Sequence, residues 1–128
     1  MRFCLIVTGP AYGTQSASSA WLFANAIIAN NHTLDSIFFY CEGVMNANAL
    51  HAPASDEVNL THFWQKLHQK HGVILNICIS AALRRGICNQ KESLALDLGA
   101  ANLAIGFRFT GLVSLAASVL TSDRVVKF

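Results

Sequence analysis

Phe3-Cys4-Leu5-Ile6-Val7, followed at once by Thr8-Gly9-Pro10, is a continuous apolar run closed by a turn signal. That is the pattern of a strand buried on both faces of a parallel sheet. The next residues decide the fold class. From 16 to 29 the chain carries Ala20, Phe23, Ala24, Ile27 and Ile28 at helical spacing, with Ser16, Ser18 and Ser19 offered for capping and Asn30-Asn31-His32 to end the helix. Leu34 to Tyr40 reads as a second strand, and the polar, small-residue stretch from Glu42 to Ser55 as a long loop at its C-terminal end. Residues 57 to 70 predict a second helix with Val58, Leu60, Phe63, Trp64 and Leu67 inward, Asp56 and Glu57 at its positive end, and Lys66, Lys70 and His71 at the other. Gly72 stops it. Val73 to Ile79 is a third strand, and Ser80 to Arg85 a short helical segment ended by Gly86. Further on, 91 to 104 is Ala/Leu-rich and predicts a helix, Phe107 to Phe109 a short strand, Leu112 to Leu120 a helix and Arg124 to Phe128 a last strand.

This alternation of strand and helix predicts an α/β fold, a three-layer α/β/α sandwich with a mainly parallel sheet of about five strands, in one domain over 1–128. Strand order does not follow from it. Such sheets place ligands at the C-terminal ends of their strands, so the stretches to inspect are Thr8 to Gly13, Cys41 to Asn48 and Cys78 to Arg85.

Composition narrows the function classes. The chain has 128 residues, of which 53% are apolar but only 12% charged, about half the roughly 25% usual for a soluble domain. A chain this apolar offsets its ordering entropy by burial, which excludes disorder. The apolar runs fall short of the roughly 20 residues a spanning helix needs. The charge deficit therefore points to a surface partly covered by other subunits. With a net charge of +2 and scattered Lys/Arg, apart from Arg84-Arg85, a direct nucleic-acid surface is not indicated. The N-terminal apolar stretch is too short for a signal peptide and reads as a first strand, giving the expectation of a cytoplasmic protein.

Four cysteines, Cys4, Cys41, Cys78 and Cys88, show no Cys-x-x-Cys spacing, so neither a zinc site nor a redox pair is indicated. The turn Thr8 to Gly13 matches no phosphate-binding motif, and His62, His68 and His71 lack a third metal ligand. Cys78 stands out because it closes a strand just before a helical turn with Arg84 and Arg85, and both a helix N-terminus and guanidinium groups favour a thiolate. The residues alone leave a buried core cysteine as the other reading. Cys41 ends the second strand at the same sheet edge and competes with it; Cys4 reads as inert core, and Cys88 as an exposed bystander in a polar turn.

The chain resembles the DsrE-like sulfur-relay family along nearly its whole length. The matching stretches include Val7-Thr8-Gly9-Pro10-Ala11-Tyr12-Gly13-Thr14-Gln15, Phe38-Phe39-Tyr40, Glu42-Gly43-Val44, Asn46-Ala47-Asn48, Pro53-Ala54-Ser55-Asp56-Glu57, Leu75-Asn76-Ile77-Cys78, Ala81-Ala82-Leu83-Arg84-Arg85-Gly86 and Asp123-Arg124-Val125-Val126. In the family the cysteine of the Leu-Asn-Ile-Cys segment carries sulfur, and it falls here on Cys78. The resemblance implies a sulfurtransferase subunit working with TusB-like and TusC-like subunits in a heterohexamer. It would accept sulfane sulfur as a persulfide from a TusA-like donor and pass it to a TusE-like acceptor, for 2-thiolation of the tRNA wobble uridine. No metal or organic cofactor is implied, nor direct contact with nucleic acid or membrane. Cys41, Cys88 and Ser122 depart from the family pattern without touching Cys78. The Glu42 to Ser55 loop is expected to line the cysteine's cleft. Two other readings stand beside this one: a non-catalytic interaction subunit of the same kind of complex, and a small-ligand-binding α/β domain using the Thr8 to Gly13 turn.

Overall fold

The computed structural model describes all 128 residues. Five strands, β1 (Arg2–Val7), β2 (Thr33–Phe39), β3 (Ile74–Cys78), β4 (Phe107–Thr110) and β5 (Arg124–Lys127), form one sheet in the order β4-β3-β2-β1-β5. Every pairing is parallel, so the expected mainly parallel sheet is wholly so. Helices α1 (Ser16–Ala29), α2 (Leu60–His71), α3 (Ile79–Arg84), α4 (Gln90–Ala95) and α5 (Leu112–Leu120) fill the crossovers. The chain steps from β1 to β4 in one direction and then returns past three strands to add β5 at the far edge. With right-handed crossovers, that reversal carries α5 to the sheet face opposite α1 and α2.

Alternation along the strands builds the core between the sheet and α1 and α2. Leu5, Val7, Ile37, Phe39, Leu75 and Ile77 are buried with Ala17, Ala20, Ala24, Ile27, Trp64 and Leu67. Leu34 and Ile37 are three apart and would take opposite faces of a regular strand. A register shift between β1 and β2, with Phe3 opposite Leu34 and Leu5 opposite Ile37, absorbs the extra residue.

The helical boundaries correct several expectations. Helix α1 is capped by Gln15 with no side-chain bond, so none of the nearby serines serves. Helix α2 starts at Leu60, where Asn59 accepts from the His62 N–H; Asp56, Glu57 and the exposed Val58 lie outside it. Gly72 ends it in the left-handed conformation. The helix expected over 91–104 stops at Ala95. After a last local turn, closed by the Leu98 N–H on the Ser93 carbonyl, the backbone bonds sideways: Asn102 and Leu103 N–H groups donate to the Cys88 carbonyl, and Ala104 N–H to the Ala47 carbonyl. Local Ala/Leu propensity loses to these tertiary bonds.

Helix α5 matches its expected span but buries none of its residues. Val113 is 85% exposed and Leu120 84%. Leu94 in α4, and Leu96, Leu98 and Ile105 in the segment after it, are exposed as well. The apolar excess thus lies on α5 and this segment, and no helix is long and apolar enough to cross a membrane.

Candidate functional site

Asn46 joins two of the three stretches at the C-terminal edge of the sheet, and the 3₁₀ helix that carries it packs against the third. The stretch expected to be loop from Glu42 begins instead as a 3₁₀ helix, Cys41–Ala47. Asn46 is fully buried in it. Its Nδ2 donates to the carbonyls of Gly9 at 3.0 Å and Gly43 at 2.8 Å, and its Oδ1 accepts from Trp64 Nε1 at 2.9 Å. One side chain therefore ties the turn after β1 to the 3₁₀ helix and to α2. Gly43 brings the same segments into backbone contact, since a Cβ there would collide with the Val7 carbonyl. The 3₁₀ helix in turn packs on β3 and α3.

Cys78 is the last residue of β3 and the N-cap of α3. N-caps are usually Ser, Thr, Asp or Asn, whose oxygen accepts from the first-turn N–H groups. Here the thiol makes no such bond. Cys78 is only 4% exposed, sheltered at the edge where the 3₁₀ helix lies against α3.

Of the two expected cationic neighbours, Arg85 is committed elsewhere: its Nε binds Glu42 Oε1 at 2.7 Å and its Nη1 donates to the Ala81 carbonyl. This pair straps the 3₁₀ helix to α3. Arg84 is exposed and makes no salt bridge.

The other cysteines separate by environment. Cys4 is buried, and desolvation pushes its thiol up. Cys41 is exposed and holds a left-handed backbone angle, φ 50°, at the start of the 3₁₀ helix. Cys88, expected to be exposed, is buried, because its thiol donates to the Ala100 carbonyl at 3.0 Å beneath the segment that replaces the expected helix.

The remaining candidates are structural. The Thr8 N–H and hydroxyl both donate to the Phe128 carbonyl, tying the turn to the chain's last residue. His68 Nδ1–H donates to the Val73 carbonyl, while His62 and His71 are exposed. Nowhere do three His, Cys, Asp or Glu side chains gather as metal ligands.

Two residues that sequence reasoning missed complete the surroundings. Asn102 Nδ2 donates to Asn48 Oδ1 and the Gly86 carbonyl while its Oδ1 accepts from Cys88 N–H, joining three loops. Arg108 Nε donates to Asn76 Oδ1 at 2.9 Å across β3 and β4, one side-chain layer below Cys78. A lone asparagine in a loop carries no periodic signal, so nothing in the sequence distinguishes these from solvated polar residues.

Comparison with known proteins now bears on this geometry. The model of the DsrE/DsrF-like family matches residues 1–128. The chain belongs to the DsrE/DsrF-like family. It is 61% identical over 128 residues, covering 100% of both chains, to Sulfurtransferase TusD of Erwinia tasmaniensis. At that similarity, this DsrE/DsrF-like chain is a sulfurtransferase with a sulfur-relay role, as its motifs lead one to expect. The crystal structure of the ychN protein from E. coli has the same fold, with a TM-score of 0.80 at 24% identity and 100% coverage of both chains.

Proposed function

We propose that this sulfurtransferase, acting as one domain over 1–128, carries sulfur as a persulfide on Cys78. The observation that carries the reading is the position of Cys78, at the C-terminal end of β3 and the N-cap of α3, at the edge where sheets of this kind hold their ligands. The Cys78 thiolate attacks the outer sulfur of a donor persulfide. A bond forms between Cys78 Sγ and that sulfur, the donor's S–S bond breaks, and its electron pair leaves on the donor thiolate. The acceptor thiolate repeats the step on Cys78. Sulfur is passed without net oxidation, and no metal or organic cofactor is needed.

The assigned partners are a TusA-like donor and a TusE-like acceptor, with TusB-like and TusC-like subunits covering the apolar surface of α5 and the Leu94–Ile105 segment in a cytoplasmic heterohexamer. The end use is 2-thiolation of the tRNA wobble uridine. The exposed Val113, Leu120 and Ile105 support the covering subunits. Low exposure of Cys78 suits a carrier that must hold a labile persulfide away from adventitious thiols. It also requires docking to open the edge around the 3₁₀ helix, including the Arg85–Glu42 pair, whose exposed Glu42 leaves it weak enough to yield.

The same burial favours one second reading, an interaction subunit with no chemistry of its own. Mass mapping after incubation of the assembled complex with a persulfidated donor separates the two. One added sulfur on Cys78, lost in Cys78→Ser and retained in Cys4→Ser and Cys88→Ser, is the expected result; sulfur on Cys41 or Cys88 alone, or on none, rejects the carrier role.

A further inference from the structure

Thr110 closes β4 as Cys78 closes β3, and the two are direct partners in the parallel register. Partners in a parallel ladder project to the same face of the sheet, on strands about 4.8 Å apart. One layer below, the preceding pair on that face, Asn76 and Arg108, is already joined by a hydrogen bond at 2.9 Å. Side chains on these two strands therefore reach one another. The Thr110 hydroxyl is the single buried side-chain polar atom in the protein without a hydrogen-bond partner. Native folds seldom leave such a group unpaired, because burial without a partner is destabilising. An unpaired donor beside the reacting cysteine has a use if the partner arrives with the substrate.

From this juxtaposition we infer that Thr110 is a further catalytic residue, whose hydroxyl donates a hydrogen bond to the outer sulfur of the Cys78 persulfide. The inference rests on Cys78 being the carrier. A persulfide places its outer sulfur about 2.05 Å beyond Sγ. Rotation about the Cys78 side-chain bonds then brings a charged acceptor towards a hydroxyl that the bare thiol leaves unpaired. The bond forms as the donor's S–S bond breaks and is lost when the acceptor takes the sulfur. The proton stays on Thr110 throughout, and no electrons move through the residue. Thr110 stabilises the persulfide while Cys78 holds it, through a bond lost on transfer, and fixes the direction of the outer sulfur for the acceptor. The paired Arg108–Asn76 layer beneath keeps both strand ends in register.

The test uses the assembled complex loaded from glutathione persulfide, with Thr110→Val, which keeps the shape and removes the hydroxyl, and Thr110→Ser, which keeps the hydroxyl. The readouts are the lifetime of the Cys78 persulfide against added glutathione, followed by intact mass, and the melting temperature. Hydrogen bonds to charged acceptors correspond to a loss of about tenfold or more in that lifetime for Thr110→Val, with Thr110→Ser close to the parent. Thr110→Val should melt no lower than the parent, since it removes an unpaired buried group. Equal lifetimes in parent and Thr110→Val overturn the inference, as does an equal loss in both variants, which marks a packing role. Sulfur absent from Cys78 in the parent refutes the carrier reading itself, and this inference with it.

Discussion

Replacing Asn46 by alanine tests whether one buried amide assembles the edge around Cys78. The substitution removes three hydrogen bonds, two donated to the Gly9 and Gly43 carbonyls and one accepted from Trp64 Nε1. Trp64 is fully buried and packs edge-on against Phe39, so its N–H has no route to water. An orphaned buried donor costs about 1–3 kcal/mol. The two carbonyls lose one partner each and are less penalised, because a carbonyl has a second lone pair. With the volume left by the side chain, the expected loss is about 3–4 kcal/mol. Urea unfolding at fixed protein concentration reads it. With a urea slope of about 1–3 kcal/mol per molar, the midpoint should fall by more than about 1 M. Trp64→Phe removes the same bond from the other side. A double-mutant cycle should therefore return a coupling of about 1 kcal/mol or more, the double mutant losing less than the sum of the single losses. A loss below about 1 kcal/mol for Asn46→Ala, or additive effects, would refute the assignment of Asn46 as the tie.

The other tests follow from single residues. Gly43→Ala puts a methyl group into the Val7 carbonyl, which is held in the sheet, so a loss of about 3 kcal/mol or more is expected in thermal or urea unfolding; a neutral result would mean that the 3₁₀ helix shifts freely. Burial lowers the pKa of His51, whose ring lies 3.2 Å from the Thr61 hydroxyl and edge-on to Tyr12. The folded state then binds fewer protons than the unfolded chain. Its contribution is fully present above the ordinary value of about 6.5 and is lost as pH falls through the lower folded value. The urea midpoint should drop more steeply on acidification in the parent than in His51→Gln, and parallel pH profiles would contradict it.

Much of the fold is legible because its signals are local and periodic. The run from Phe3 to Val7, the apolar spacing of 16 to 29 and the stops at Gly72 and Gly86 depend on neighbours within a few residues, and the structure follows them closely. The stretch from 91 to 104 misleads for the opposite reason. Its composition favours a helix, but Asn102, Leu103 and Ala104 bond to Cys88 and Ala47, far away in sequence. Cys88 is misplaced by the same cause, since the segment that buries it is the one wrongly read as helix. Cys78 is legible as a candidate because a strand-to-helix junction can be read from pattern. Its surroundings are not, because Arg85 turns to Glu42, and Thr110 comes beside it only through a strand pairing.

The sequence by itself determined the alternation of strands and helices, the shortage of charge, and the family motif ending in Cys78, since each is a property of adjacent or periodically spaced residues. Only the tertiary structure decided the strand order, which brings β4 beside β3 and so Thr110 beside Cys78. It also decided that the apolar surplus lies on α5 and the Leu94–Ile105 segment. The physical reason is common to both. Parallel pairing and burial are set by which crossovers can pack together, and that choice is made by contacts between residues far apart in the chain.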